Sequence, residues 1–160
     1  MNARARVSAS LVIGILAAVT AAGCAPKMRM GSGDIVADRQ RLMKLNGASW
    51  ADIQAKAKAG QIEAIAVNAE TLALNAMHIP SLFPEGSHTE KSKAKPEVWQ
   101  KWAEFEKAAK TMEAEAVKLR DASKSKNEAL TQSLVKDFGR LACGNCHTPF
   151  RVPPPPQPRS

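Results

Sequence analysis

The chain has 160 residues, enough for one domain of ordinary size and too few for two separate cores. Three Trp, four Phe and no Tyr leave few of the aromatic residues that strands favour, so the composition predicts helices. The formal charge is +8, but the basic residues are scattered between acids, which argues against nucleic acid as a partner.

The first 23 residues have the layout of a bacterial secretory signal peptide. Arg4 and Arg6 precede the apolar run Leu11–Val19, which is followed by small residues. The run is too short for a comfortable membrane span. Removal of residues 1–23 lowers the formal charge from +8 to +6, because 21 Lys and Arg then face 15 acids. The sequence therefore predicts an exported, periplasmic protein whose surplus charge suits an anionic lipid or an acidic partner.

The signal ends in "TAAGC", which resembles the lipobox of bacterial lipoproteins. In such a site Cys24 receives a diacylglycerol, becomes the new N-terminus and anchors the protein to a membrane. Lipidation would also explain the odd number of three cysteines, since Cys143 and Cys146 then remain as a pair. Ordinary signal cleavage nearby, with Cys24 left as a free thiol, is the alternative.

Residues 24–33 read as a short tether, and two helices follow it. Asp34 is predicted to cap a first helix that runs to about Ala59 and ends at Gly60. Residues that recur along it at three- and four-residue steps are Ile35, Arg39, Leu42, Met43, Asn46, Trp50 and Ile53. A second helix places Ile62, Ile65, Ala69, Leu72 and Ala76 on one stripe before Pro80 and Pro84 open a loop.

Two more helices complete the predicted domain, residues 34–152. Pro96 and Glu97 suit the first turn of a third helix. Its stripe is Val98, Trp102, Phe105, Ala109, Met112, Ala116 and Leu119. "SKNE" at 125–128 reads as a capping box for a fourth helix, whose stripe is Leu130, Leu134, Phe138 and Leu141. The pattern predicts an all-α fold, an antiparallel four-helix bundle, with residues 153–160 as an extended proline-rich tail.

The fourth helix runs into "CGNCH", where Cys143, Cys146 and His147 stand at i, i+3 and i+4 on one helical face. C-x-x-C-H is the attachment pattern of c-type haem, in which two thiols bind the porphyrin and the imidazole reaches the iron. Structural zinc would need about four ligands, and His78 and His88 come without cysteine partners. A redox dithiol would begin a helix after a strand, whereas this pair ends one.

Four stretches together resemble the class II c-type cytochromes, the cytochrome c-prime family. They are "RQRLMK" at 39–44, "PSLFPEGS" at 80–87, "AKPEVWQKWAEFE" at 94–106 and "CGNCHTPFR" at 143–151. The resemblance implies haem c bound covalently to Cys143 and Cys146, with its iron ligated by His147. It also implies that Arg39 lies near a propionate and that Arg151 lies beside the proximal ligand. Pro149 is expected to stop or kink the last helix just after His147.

The resemblance places Met43 where six-coordinate members carry a methionine ligand, so Met43 is the expected sixth ligand. Its alternative is a core-filling side chain, and the alternative for Arg39 is a helix-surface charge. We expect a membrane-tethered carrier of single electrons and not an enzyme, since no nucleophile–base pair stands out. A redox protein is the expected partner, and relatives often form homodimers. The other readings are a five-coordinate protein that binds NO or CO, and a peroxidase, which would want a distal acid–base residue.

Overall fold

The computed structural model describes residues 33–155, so the signal peptide, Cys24 and residues 156–160 lie outside the described residues. Six α-helices occur in this part: α1 Ile35–Lys58, α2 Ile65–His78, α3 Glu97–Gln100, α4 Trp102–Lys124, α5 Glu128–Phe138 and α6 Asn145–Phe150. A 3-10 turn, Pro80–Leu82, follows α2, and a π-helical segment, Gly139–Gly144, joins α5 to α6. No described helix is long and apolar enough to cross a bilayer. The predicted all-α bundle is confirmed, with α3 and α4 as its third limb and residues 128–150 as its fourth.

The first two helices form the predicted antiparallel pair. The Asp34 carboxylate accepts hydrogen bonds from the N–H groups of Val36 and Ala37, which caps α1 as expected. The pair is joined near one end by the Asn75 amide, which donates to Asn46 Oδ1 at 2.7 Å. Near the other end Lys56 Nζ donates to Asn68 Oδ1 at 2.6 Å. The second of these bonds lies later in α1 and earlier in α2, so the two helices run in opposite directions.

The third limb was expected as one continuous helix, but the structure breaks it at Lys101, whose φ and ψ are −122° and 47°. The predicted stripe is buried on both sides of the break, except for the half-buried Trp102. The short α3 is fixed by long-range contacts. Trp99 Nε1 donates to the carbonyl oxygens of Phe83 and Pro84, and Lys95 N–H donates to Phe150 O at 2.9 Å. The periodicity of a helix contains no information about such contacts.

The fourth limb begins two residues later than the capping-box prediction. Ser125 is the C-cap of α4 and its hydroxyl donates to Ala122 O. Asn127 is the N-cap of α5, and its side chain accepts from Leu130 N–H at 3.1 Å. Leu130, predicted on the buried stripe, is 47% exposed, and Thr131 is fully buried in its place. Ser125 and Lys126, which the capping-box prediction places at the start of the helix, form a turn instead, in which Lys126 has a φ of 57°.

Asn127→Ala is expected to destabilise the protein by about 1 kcal/mol, the usual cost of losing an N-cap side chain. Ser125→Ala is the matched control at the cap that the sequence predicts; it removes one hydroxyl bond of an exposed residue at the end of α4 and should cost less. Urea unfolding of both variants measures the difference in free energy. An equal loss of unfolding free energy in the two variants, or a larger loss for Ser125→Ala, would show that the Asn127 side chain is not the stabilising cap of α5.

The π-helical segment changes which side chains of the fourth limb face the core. A π turn holds one more residue than an α turn, so the residues after it are rotated relative to a uniform helix. Leu141, predicted on the stripe, is half-buried, while Ala142 is fully buried. The segment leads directly into Cys143 and α6, so it sets the direction in which the "CGNCH" side chains project.

Candidate cofactor site

A cavity of about 420 Å³ lies among the start of α1, the loop that follows α2, the start of the third limb and α6. Its volume is within the range of small-molecule and cofactor pockets, about 300–1,000 Å³. Much of its lining is apolar and comes from α1, the segment after α2, the third limb and α6: Val36, Met43, Ile79, Phe83, Ala94, Val98, Phe105 and Phe150. The cavity therefore offers space and an apolar environment for a large planar group.

The structure brings most of the predicted haem residues to this cavity. Cys146 and His147 line it from α6, and Arg39 and Met43 line it from α1, one helical turn apart. Cys143 lies one turn before Cys146 in the π-helical segment, where it is half-buried and packs against the core without lining the cavity. Helices α1 and α6 therefore each contribute two of the predicted haem residues to the wall of this cavity.

Both thiols are free and partly buried. Burial raises the pKa of the Cys143 thiol, and it raises the pKa of Cys146, with a smaller contribution from Cys143, to about 11. Both therefore stay protonated near neutral pH. Burial, followed by the positive charge of Arg151, lowers the pKa of His147. The neutral imidazole that results is the form that binds a metal.

Arg39 is a buried side chain, 5% exposed, so the alternative reading of a helix-surface charge is wrong. Its guanidinium donates to the carbonyl oxygens of Leu82 and Ser87 and to the Ser87 hydroxyl, and it lies 4.2 Å from the centroid of the Phe83 ring. Burial lowers its pKa. Among the described residues no carboxylate forms an ion pair with Arg39. A buried cation without a counter-ion beside a cavity suits an anionic group bound in that cavity.

Arg39→Leu is expected to destabilise the fold by roughly 2–4 kcal/mol, because it removes charged hydrogen bonds worth about 1.5–3 kcal/mol each and leaves loop acceptors unpaired. Arg41→Leu is the matched control on the same helix. Its ion pair with Asp38 at 2.8 Å is exposed, and such pairs contribute about 0–1 kcal/mol. Denaturant midpoints of the two variants give the comparison. If Arg39→Leu is as stable as the control, the loop does not depend on the guanidinium.

The last helix continues past His147, which corrects the expected stop at that residue. Pro149 lies inside α6, which ends at Phe150. Because Pro149 has no N–H, it cannot donate to Asn145 O, and the helix ends one residue later. The chain beyond is held by Lys95 N–H to Phe150 O at 2.9 Å and by Val152 N–H to Lys93 O at 2.8 Å. These bonds place Arg151 on the cavity lining with His147.

These residues fit a covalently bound haem. Much of the cavity wall is apolar, Cys146 and His147 belong to it, and Cys143 lies in the turn before them. The buried guanidinium of Arg39 can face a propionate. Among the described residues, no cluster of three or more His, Cys, Asp or Glu that could hold a metal ion occurs.

The family model described as cytochrome C' matches residues 34–151, nearly the whole described part of the chain. The chain belongs to the cytochrome c' family. Cytochrome c-556 of Agrobacterium tumefaciens is 31% identical over 120 residues, which cover 73% of this chain and 96% of that protein. Cytochrome c' of Rubrivivax gelatinosus is 27% identical, with a TM-score of 0.65 over 75% of this chain and 96% of that one. As a cytochrome c', the protein carries covalently bound haem c and its iron.

A structure described as a nitric oxide complex of a variant of cytochrome c prime from Alcaligenes xylosoxidans has the same fold. It is 24% identical, with a TM-score of 0.67 over 76% of this chain and 96% of that one.

Sequence reasoning missed several residues that shape this cytochrome's cavity. Ser87 and Leu82 bind Arg39, and Phe83 separates the cavity from a surface groove against Trp99. Leu82, Phe83 and Ser87 all belong to "PSLFPEGS", which resembles the family but has no role that its residues alone indicate. Lys93 lies in the segment before α3, which the bonds of Val152 N–H to Lys93 O and of Lys95 N–H to Phe150 O hold beside the end of α6 at the cavity.

Proposed function

We propose that this cytochrome c' is a periplasmic carrier of single electrons whose haem is attached to Cys143 and Cys146 and ligated by His147 and Met43. The observation that carries the proposal is that Met43 and His147, which are 104 positions apart in the sequence, line one cavity from two separate limbs. The proposal also rests on the matched position of Met43 in "RQRLMK".

Each residue has a distinct role in this proposal. The bound haem supplies one-electron redox chemistry. The Cys143 and Cys146 thiols hold the porphyrin to the fourth limb, and the neutral His147 imidazole donates to the metal. The Met43 thioether is a soft, neutral ligand that favours the reduced state and raises the potential. Arg39 offers its positive charge to a propionate while the loop at Ser87 holds it in place.

Buried aromatic side chains keep water from the site. Phe105 is in ring contact with Phe83 and Phe150, at centroid distances of 4.8 and 5.4 Å, and all three line the cavity. A low-dielectric wall of this kind disfavours the more highly charged, oxidised state of the site. The aromatic wall and the thioether therefore act in the same direction on the potential.

A gas-binding protein with an open iron site is the second candidate function. It is supported by the nitric oxide complex described for cytochrome c prime of Alcaligenes xylosoxidans, whose fold this chain shares. Titration of the reduced wild type with CO separates the two functions. A carrier with both axial positions filled should show no spectral change at micromolar CO, whereas an open site should bind it stoichiometrically.

We further propose that Cys24, outside the described residues, is lipidated and tethers the protein to a membrane. Lipoprotein processing supplies more than one acyl chain, as stable anchoring requires. We expect the wild type in the membrane fraction with an N-terminal mass that includes diacylglycerol, and Cys24→Ser in the soluble periplasm. An unmodified N-terminus that begins elsewhere, in protein found wholly in the soluble fraction, would contradict the tether.

A further inference from the structure

The positive charge of this cytochrome is concentrated at the cavity. Residues 33–155 contain 18 Lys and Arg and 15 Asp and Glu, a net charge of +3. Four of the cations line the cavity, namely Arg39, Lys44, Lys93 and Arg151, and no acidic residue does. The rest of this part of the chain has 14 cations against 15 acids, a net charge of −1. Within residues 33–155 the surplus of positive charge therefore equals the charge of the side chains that line the cavity, less one.

Three of these cations are exposed, and we call Lys44, Lys93 and Arg151 the cationic rim. None of the three forms an ion pair with a carboxylate in residues 33–155. Cations elsewhere are often neutralised within the chain. Examples are the pair of Arg120 with Glu70 at 2.7 Å and the pair of Lys126 with Glu63 at 3.0 Å. The rim charges remain available to a partner.

The rim comes from three separate parts of the fold. Lys44 lies on α1, Lys93 on the loop before α3, and Arg151 just after α6. The backbone bond from Val152 N–H to Lys93 O holds the second and third of these parts together. The cations therefore come to the cavity from three elements, and they do not belong to one charged helix face.

We propose that the cationic rim is the docking surface for an acidic redox protein, an inference that rests on the proposed function. Complementary potentials around the cavity would steer an acidic surface to the place where an electron must pass. A membrane surface fits less well, because polybasic lipid-binding segments carry about four to eight clustered cations, whereas the rim has three around an opening.

The test uses reduced flavodoxin, an acidic one-electron flavoprotein, as the probe, mixed with the oxidised holoprotein in a stopped-flow instrument. Flavodoxin loses one electron and the cytochrome gains it. We expect the second-order rate constant to fall about tenfold or more from low to physiological ionic strength, as steered encounters do. Replacement of all three rim cations, as Lys44→Gln, Lys93→Gln and Arg151→Gln, should lower the low-salt rate by a similar factor.

A matched control removes three exposed cations towards the opposite end of the bundle, as Lys58→Gln, Lys124→Gln and Lys136→Gln, with the same change in net charge. Its rate should stay within about twofold of the wild type. The double variant Lys44→Gln, Lys93→Gln keeps Arg151 and so leaves the neighbourhood of His147 intact. A lower rate in this variant therefore cannot be attributed to damage beside His147. Equal rates in rim and control variants would overturn the proposal.

Cross-linking provides a readout that does not depend on electron transfer. A carbodiimide joins lysine amines to the carboxylates of bound flavodoxin, so cross-linked peptides should contain Lys44 and Lys93 and not Lys58 or Lys124. Cross-links spread evenly over all lysines would contradict the docking surface. A second contradictory result would combine two measurements. In it, the Cys24→Ser protein binds phosphatidylglycerol vesicles through the rim cations, and the rate of electron transfer from flavodoxin does not depend on salt. A protein that binds CO but keeps the salt dependence would refute the proposed ligation and leave the rim intact.

Discussion

Replacement of Cys143 and Cys146 together by alanine is expected to abolish haem retention and to leave little folded protein in the periplasm. The thiols are the covalent link in the proposed site, and without the porphyrin the cavity of about 420 Å³ loses its filling. The apolar wall would then lose the packing that the porphyrin supplies to Phe105, Phe150 and their neighbours. The stability of a whole domain is only about 5–15 kcal/mol, so the loss of this packing should leave little folded protein.

Extraction of the denatured protein with acidic organic solvent checks this expectation, because covalently bound haem stays with the polypeptide. Each single variant should keep one thioether and a reduced yield of holoprotein. Cys24→Ser is the control that removes the third cysteine without touching the cavity, and it should keep full haem content. Complete extraction of haem from the wild type would show that the cysteines are not the attachment site.

Met43→Ala is expected to convert the oxidised protein from low-spin to high-spin and to open the iron to CO. The Met43 side chain lines the cavity with His147, and its loss would remove the proposed second protein ligand. The reduction potential should fall, within the ~0.8 V range over which axial ligands set haem potentials, because the thioether favours the reduced state. Optical spectra, CO titration and potentiometry of the purified holoprotein measure the three effects.

Two substitutions distinguish a ligand from a core-filling residue at this position. Met43→Leu keeps most of the volume but has no sulfur, so it should give the same high-spin spectrum as Met43→Ala. Met112→Leu changes a methionine that is buried in the core and does not line the cavity, and it should leave the spectrum unchanged. A low-spin Met43→Leu protein would mean that another group completes the coordination.

Most of the bundle could be predicted from the sequence because its helices carry their own signals. Asp34 caps α1 as expected, Gly60 follows α1 with φ of 70°, and the third-limb stripe from Val98 to Leu119 is buried except at the half-buried Trp102. These features depend on local propensity and on a period of 3.6 residues, both of which a sequence contains. The resemblance of residues 143–151 to the family's attachment site predicts the haem, which helical periodicity alone does not indicate.

The rest depended on contacts between distant residues. The break at Lys101 goes with the bonds of Trp99 to a loop carbonyl 16 positions earlier, and the burial of Ala142 in place of Leu141 follows a π turn that no residue pattern announced. The burial of Arg39 depends on Ser87, 48 positions away. Propensity predicts where helices form, but it does not predict which loops return to bind their side chains.

The optical spectrum of the oxidised wild-type holoprotein tests the central claim most directly. Ligation by His147 and Met43 predicts a low-spin spectrum with a sulfur-to-iron charge-transfer band, which a sulfur ligand alone can produce. A high-spin spectrum without that band, unchanged by Met43→Ala, would contradict the account and move this cytochrome c' to the gas-binding function.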